Sequence, residues 1–425
     1  MATMALVEIV KERVEKSAEE IASLTSQLVQ FPTFVPPGII KDCVAFIESY
    51  FAKHGIKTAI HKNVDEKPNL CATIPGKGRG KILWLGHLDV VPEGTREAWK
   101  YEPYGGKIEG GRVYGRGSTD MKGSCAAAMV TARLLHEIGD DLNPAVEFWF
   151  TADEEIGGGD GARWLAEAGK FQGDICVVGD GGCGEDPAID VGCKGSMGTT
   201  LKAIGTTAHG SQPYLGDNAL DKLLSVIPYA KKIGEYKLDL PEEIEPAIQS
   251  SIDYMLKNLE LTEKQAEGVR RIFYYPSVAL TILHGGVKSN VIPDVAEATL
   301  DIRLTPGTKI EKVRDRMLQI IEESGVQGIV PNIRVGRGGY YESPNSLFYA
   351  QFSRTVEMMT GQRPYMRITT GGTDAVSVKH IAGIPCLGFG SGKPAQAHTP
   401  DEHVEISSLV RSAKVYAAFP LIYEK

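Results

Sequence analysis

The sequence predicts an α/β fold interrupted by a ferredoxin-like α+β insertion, and three observations predict it. Residues 6–178 alternate between helical and strand periodicity, which implies helices laid on a sheet. Residues 195–342 abandon that alternation for a strand–helix–strand–strand–helix–strand order. Acids and a histidine recur where the apolar strands end, the edge at which such sheets bind ligands.

Taken in order, helical spacing runs over residues 6–28 and 43–54 and is followed by short strands at 57–61 and 69–74. A GKGRG turn feeds the apolar run KILWL, which ends in GHLDVVPEG, residues 86–94. After an aromatic and glycine-rich loop, residues 121–138 read as a small-residue helix. A strand at 146–151, a helix at 161–168 and a strand at 175–178 complete the alternation. In the insertion, strands are expected at 197–204, 277–284, 297–304 and 332–335, with helices at 218–233 and 310–323. The acidic helical stretch 242–271 lies between them and reads as a solvated face. A helix at 346–360 returns the chain to the first pattern.

A chain of 425 residues exceeds one ordinary core and suggests two or three domains. A formal charge of -8 without a cationic cluster excludes a nucleic-acid backbone or an anionic membrane as the main partner. Charges interrupt the N-terminal stretch where a signal peptide needs an apolar core, and no later run is apolar enough to span a bilayer. Seven cysteines without C-x-x-C spacing give no disulfide framework, so a cytoplasmic location is expected. Cys125, Cys176 and Cys386 sit in apolar surroundings, as core residues do.

The chemistry begins at His87 and Asp89. Positions i and i+2 of an extended chain face one side, so the Asp89 carboxylate is expected to orient the His87 imidazole, as acids do for metal-ligating histidines. Asp120 in YGRGSTDMKG, Glu154 and Glu155 in FWFTADEEIGGG, and Asp180 in ICVVGDGG each follow a strand or open a helix. Singly they read as caps or turn acids. Together with His87 they form a cluster that repels itself unless cations lie within it. Adjacent residues point in different directions, so one glutamate can hold metal while the other holds water. His398 in AHTPDEHV supplies a second imidazole, with His403 as its rival.

The segments GHLDVVP, YGGKIEGGRVYGRGSTDMKG, TADEEIG, GDGG, GTTAHGSQP, SNVIPD, LDIR, TTGGTDA and AHTPDEHV together resemble the dinuclear metallohydrolase family of aminoacylase, acetylornithine deacetylase, succinyl-diaminopimelate desuccinylase, carnosinase-type dipeptidases and glutamate carboxypeptidases, peptidase family M20. The resemblance implies a catalytic α/β/α domain with a mostly parallel mixed sheet, residues 1–194 and 343–425, and an inserted lid and dimerisation domain, residues 195–342. It implies two divalent ions, zinc foremost with cobalt or manganese compatible. Carried over by position, His87 and Asp180 bind one ion, Glu155 and His398 the other, and Asp120 bridges both, with a cis peptide after Asp120. Asp89 is the partner of His87. Glu154 is the general base for a bridging hydroxide that attacks an amide carbonyl.

His209 resembles a histidine that a partner subunit's lid offers to the oxyanion, which implies a homodimer. Asn290 and Arg303 resemble residues that grip a substrate carboxylate or carbonyl, a role suited to the planar guanidinium. Gly371, Gly372 and Thr373 form a small-residue loop whose N–H groups suit the same carboxylate. The expected substrate is a small N-acyl amino acid or peptide; a dipeptidase or carboxypeptidase of the family is the alternative, and a non-catalytic binding protein the reading of a different class. Asp at 180, where many deacylases carry Glu, leans towards peptides.

Overall fold

The computed structural model describes residues 2–139, 142–182, 184–336, 338–393 and 395–424. Helices α1 (Ala2–Lys16), α2 (Ala18–Val29) and α3 (Lys41–Lys53) precede strands β1 (Lys57–His61), β2 (Asn69–Ile74) and β3 (Lys81–His87). A small hairpin, β4 (Lys107–Glu109) and β5 (Arg112–Tyr114), leads into α4 (Gly123–Ile138), β6 (Ala145–Thr151), α5 (Ala162–Glu167), β7 (Ile175–Val178) and β8 (Ala188–Cys193). Next come β9 (Gly195–Ile204), α6 (Ala219–Lys231), α7 (Glu245–Asn258), α8 (Glu263–Arg271), β10 (Ser277–Gly285), β11 (Val295–Leu304), α9 (Ile310–Glu323) and β12 (Ile329–Val335). The chain closes with β13 (Tyr340–Tyr341), α10 (Leu347–Thr360), β14 (Tyr365–Thr369), α11 (Ala375–Ser377), β15 (Cys386–Gly388), β16 (His403–Glu405) and α12 (Ile406–Ile422).

The larger sheet has the order β1-β2-β6-β3-β7-β15-β8-β13, with β14 on β8. Its centre, β6, β3, β7 and β15, is parallel, and both flanks carry antiparallel strands. Central strands buried on both faces read as continuous apolar runs, as in KILWL and ICVV. On one face α4 packs against α2 and α12, its alanines 126–128 and 132 fully buried so that the helices approach closely. Parallel strands end together, so the loops after β3, β6 and β7 open at one edge. That edge carries the acids.

The smaller sheet, β10-β11-β9-β12, is antiparallel, with α6 and α9 on one face. It has the ferredoxin-like order expected, and its separate core centres on Leu201, Leu223, Leu300 and Met317. Strict alternation along β9 and β11 shows one face buried and one open.

Three expectations need correction. The helix expected over 6–28 is two helices, because the Ser17 hydroxyl bonds the Arg13 carbonyl at 2.9 Å and competes with the helix there. Strands β8 and β14 went unpredicted, since Asp190 and Gly192 break the apolar pattern of the first and Arg367 that of the second. The stretch 242–271 is no solvated face. Ile244, Ala247, Ile248, Ile252 and Val269, with Phe273 just beyond, join the core of the larger domain, and α7 lies along β14. The described residues contain no helix long and apolar enough to cross a membrane.

Candidate metal centre

His87 ends β3, and its imidazole is almost fully buried. Nε2 lies 3.1 Å from Asp120 Oδ1, while Nδ1 lies 2.9 Å from the main-chain oxygen of Asp89. The expected carboxylate partner is thus replaced by a carbonyl, because the Asp89 side chain is engaged elsewhere. Its two oxygens accept the backbone N–H groups of Glu154 and Glu155, each at 3.1 Å, and the nearer lies 3.7 Å from His87 Nδ1. Asp89 therefore ties the loop after β3 to the turn after β6.

That turn is held from its other side. Asp153 adopts φ 70, unusual for a residue with a Cβ, and pairs with Lys67 at 2.7 Å. Asp120 sits where the loop after β5 turns into α4, and the peptide from Asp120 to Met121 is cis. Buried Glu402 accepts the N–H groups of Thr119 and Asp120 at 3.0 and 3.2 Å and pairs with Arg116. These bonds aim the Asp120 side chain.

Asp120 turns its second oxygen to His398, with Oδ2 3.3 Å from Nε2. His398 also approaches Glu155 Oε1 at 3.1 Å, from a left-handed backbone at φ 64. A non-glycine residue there points to a fold that overrides local preference, a frequent mark of functional sites. The ligand atoms of His87, Asp120 and Glu155 lie within 4.8 Å of one another, a spacing that can hold a cation. Asp180, at the end of β7, lines the same cavity and accepts the Gly181 N–H at 2.6 Å.

The cavity measures about 680 Å³ and runs from these residues to the inserted domain. Glu154, Arg303, Gly371, Gly372 and Thr373 line it, as does Lys194 at the crossing between domains. His209 and Asn290 do not appear in its wall. They sit on adjoining segments of the insertion, where Gly210 donates to the Asn290 carbonyl at 2.8 Å and His209 Nδ1 lies 2.7 Å from Ser211 Oγ. His403, the rival imidazole, packs tilted against Tyr114 instead, and its Nδ1 lies 3.0 Å from the Asp401 carbonyl.

Charge crowding marks the site. Burial, reinforced by the Asp120 carboxylate, pushes Asp180 up to about 7. Burial also raises Glu154 well above its ordinary value; His87 opposes that, and Asp374, Asp180 and Glu155 add to it. For Asp120 burial acts upward too, yet hydrogen bonds from His398 and His87 win and hold it low. Burial acts downward on His87, but the Asp120 hydrogen bond and the charges of Asp120, Asp89 and Glu154 together outweigh it and raise the imidazole. His398 rises to about 10, chiefly through Asp120 and then Glu155. A cluster that strains towards protonation in this way is one that divalent cations satisfy, and its oxygen and imidazole donors suit zinc-like ions.

Three residues of the surroundings escaped the sequence reading. Asp374, buried and raised to about 7 by burial, shares a hydrogen bond with Thr151 at 3.3 Å. It stands in TTGGTDA, one place beyond the small residues that drew attention. Glu402 stood in plain view as an acid after His398, but nothing local shows that it reaches back to Asp120. Lys194 carried no signal except its place before Gly195.

A profile of peptidase family M20/M25/M40 matches residues 83–421. The chain is 27% identical to a succinyl-diaminopimelate desuccinylase from Pelagibacter ubique over 412 residues, 93% of this chain and 96% of that one. Its fold is similar to that of a family M20 metallo-carboxypeptidase from Sulfolobus solfataricus, with a TM-score of 0.79 and 22% identity over 95% of this chain and 99% of that one. It is also similar to a dinuclear metal-binding M20 peptidase from Bacillus subtilis, with a TM-score of 0.59 and 18% identity over 96% and 98% of the two chains. The match runs through every segment that builds the centre, and the chain belongs to peptidase family M20/M25/M40 as a metallohydrolase.

Proposed function

We propose that this metal-dependent amide hydrolase cleaves N-acyl amino acids or short peptides that carry a free carboxylate, with Glu154 as the general base. The observation that carries the reading is the convergence of His87, Asp120, Glu155 and His398, with Asp180 and Glu154 on one cavity wall. His87 and Asp180 would hold one divalent cation and Glu155 and His398 a second, with Asp120 between them. Zinc fits the donors, and cobalt or manganese are compatible. Bound there, such ions supply Lewis acidity to a carbonyl and to water.

The chain's own residues do the rest. Glu154, set beside Glu155 by Asp89, takes a proton from the attacking water and returns it to the amine nitrogen as the C–N bond breaks. A buried carboxyl of raised affinity for protons suits both transfers. Arg303 and the N–H groups of Gly371, Gly372 and Thr373 would grip the substrate carboxylate across the cavity. Activity of the zinc- or cobalt-loaded protein on acetyl, succinyl and dipeptide substrates tests the reading. Absence of hydrolysis across that panel contradicts it and favours a binding protein.

The domain built from β9 to β12 with α6 and α9 is proposed as lid and dimer contact. Edge strand β10 exposes Ile282 and Leu283, and Val287 beyond it stands in solvent. His209, outside the cavity wall of its own chain, would then serve the partner's site. Six described cysteines are free and buried, which supports a cytoplasmic setting. A dipeptidase or carboxypeptidase activity remains the second reading, favoured by aspartate at 180.

A further inference from the structure

Beside Asp180 lies a second, smaller cavity of about 120 Å³ that shares Asp120 and Asp180 with the first but is not lined by Arg303. Arg367 and Lys393 line it over a floor of Gly181, Gly182 and Gly392, with Lys393 Nζ 3.6 Å from Glu405 Oε1. The floor is a short parallel bridge between Gly182 and Gly392, in which Gly392 donates to the Gly181 carbonyl at 2.9 Å. Gly181 stands at φ 114, and a Cβ there would lie 2.4 Å from Asp190 Oδ2. Only glycine lets the chain pass so close to that carboxylate.

Arg367 is fixed from three sides. Asp190 grips it in bidentate fashion, with Nη2 2.8 Å from Oδ2 and Nε on Oδ1. The Tyr254 ring lies under it at 5.4 Å. On either side of it, Ser250 and Ser251 of α7 accept the N–H groups of Met366 and Ile368 at 2.9 and 2.8 Å, which closes the open edge of β14. The helix that appeared to be a solvated insert thus holds one arginine. Nε and Nη2 face Asp190, while Nη1 lies 3.6 Å from the Cβ position of Gly182, on the cavity side.

An arginine and a lysine offer donors and positive charge only. With Asp120 and Asp180 taken up by the cations proposed above, a free α-ammonium in this cavity would meet Arg367 and Lys393. A carboxylate or other acceptor would meet the remaining Nη1 donor of a guanidinium already oriented by Asp190. We propose that this cavity receives the acyl side of the substrate and that Arg367 selects acyl groups ending in a carboxylate, such as a dicarboxylic monoacyl group, over the α-aminoacyl groups of free dipeptides. The inference rests on the amide-hydrolase reading above and decides between its two substrate classes.

The test compares succinyl, acetyl and glycyl derivatives of one amino acid on the metal-loaded enzyme and on its R367K and R367M variants. The succinyl derivative is expected to exceed the acetyl in kcat/KM by about tenfold or more, the scale of one charged hydrogen bond, with the glycyl derivative lowest. Either variant should reduce the succinyl-to-acetyl ratio by about tenfold. Where Asp190 left without its partner prevents folding, K393M is expected to lower the same ratio by about threefold. Calorimetric binding of free succinate, tighter than propionate by about tenfold, is read without turnover. Equal rates for the three derivatives, a glycyl preference, or a ratio unmoved in every folded variant overturns the inference and leaves the hydrolase reading standing. No turnover together with selective succinate binding overturns the hydrolase reading and leaves the subsite.

Discussion

His398 Nε2 lies 3.1 Å from Glu155 Oε1, although 243 residues separate them in the chain. The contact forms only when the loop after β15 is folded back over the turn after β6, so the centre is a product of the whole larger domain. In that contact, with Asp120 contributing first, the imidazole rises to about 10. His87 is likewise held well above its ordinary value. His398 therefore carries a proton at pH 8 when no cation is present, His87 is shifted in the same direction, and cations bind only the deprotonated imidazoles. Loading metal-free protein with zinc at pH 8 should therefore release about one proton or more per site pair. Calorimetry in buffers of different ionisation enthalpy measures them, and heats independent of buffer contradict the arrangement.

The same shifts set a direction for stability. Asp180 and Asp374 are raised to about 7, so their contribution is full below about 4 and is lost as pH climbs towards 7. His398 is raised to about 10, so its contribution is full below about 6.5 and is lost as pH climbs through 10. Asp120, held low, opposes them only below about 4. Metal-free protein should lose about 5 °C or more in Tm between pH 5 and pH 9. Excess zinc should abolish that fall. A flat profile without metal would show that the acids do not crowd one another.

Replacement of Glu154 by Gln keeps the shape of the side chain and removes the proton acceptor. Turnover should fall by about 10²- to 10⁴-fold, with metal content unchanged. Loss of metal in step with activity would assign Glu154 to coordination instead.

Asp89→Ala removes the acceptor of two backbone N–H groups in a buried turn. Leaving them unpaired should cost about 2 kcal/mol or more in urea unfolding of the metal-free protein. Zinc affinity should fall as well, since Glu155 loses its anchor. A variant as stable as the parent would mean that the turn after β6 is held by Lys67 and Asp153 alone.

Much of this was legible in the sequence, and the limits have physical causes. His87, Asp120, Glu154, Glu155 and Asp180 announce themselves because each follows an apolar strand or opens a helix, and such boundaries are visible in one dimension. Arg367, Asp190 and Tyr254 do not, because Arg367 meets Asp190 only across the pairing of β14 with β8 and Tyr254 only through the packing of α7 on β14, and the amphipathic pattern of α7 looks alike against solvent or a second helix layer. Asp89 was expected beside His87, and it is. Its carboxylate turned elsewhere because two N–H groups of another loop were the stronger claimants.

The central claim is that five side chains hold two cations around Asp120. Anomalous diffraction at the zinc edge from crystals of the zinc-loaded protein tests it most directly. Two peaks are expected, one beside His87 and Asp180 and one beside Glu155 and His398, with Asp120 reaching both; a single peak, or peaks away from these residues, would contradict the account.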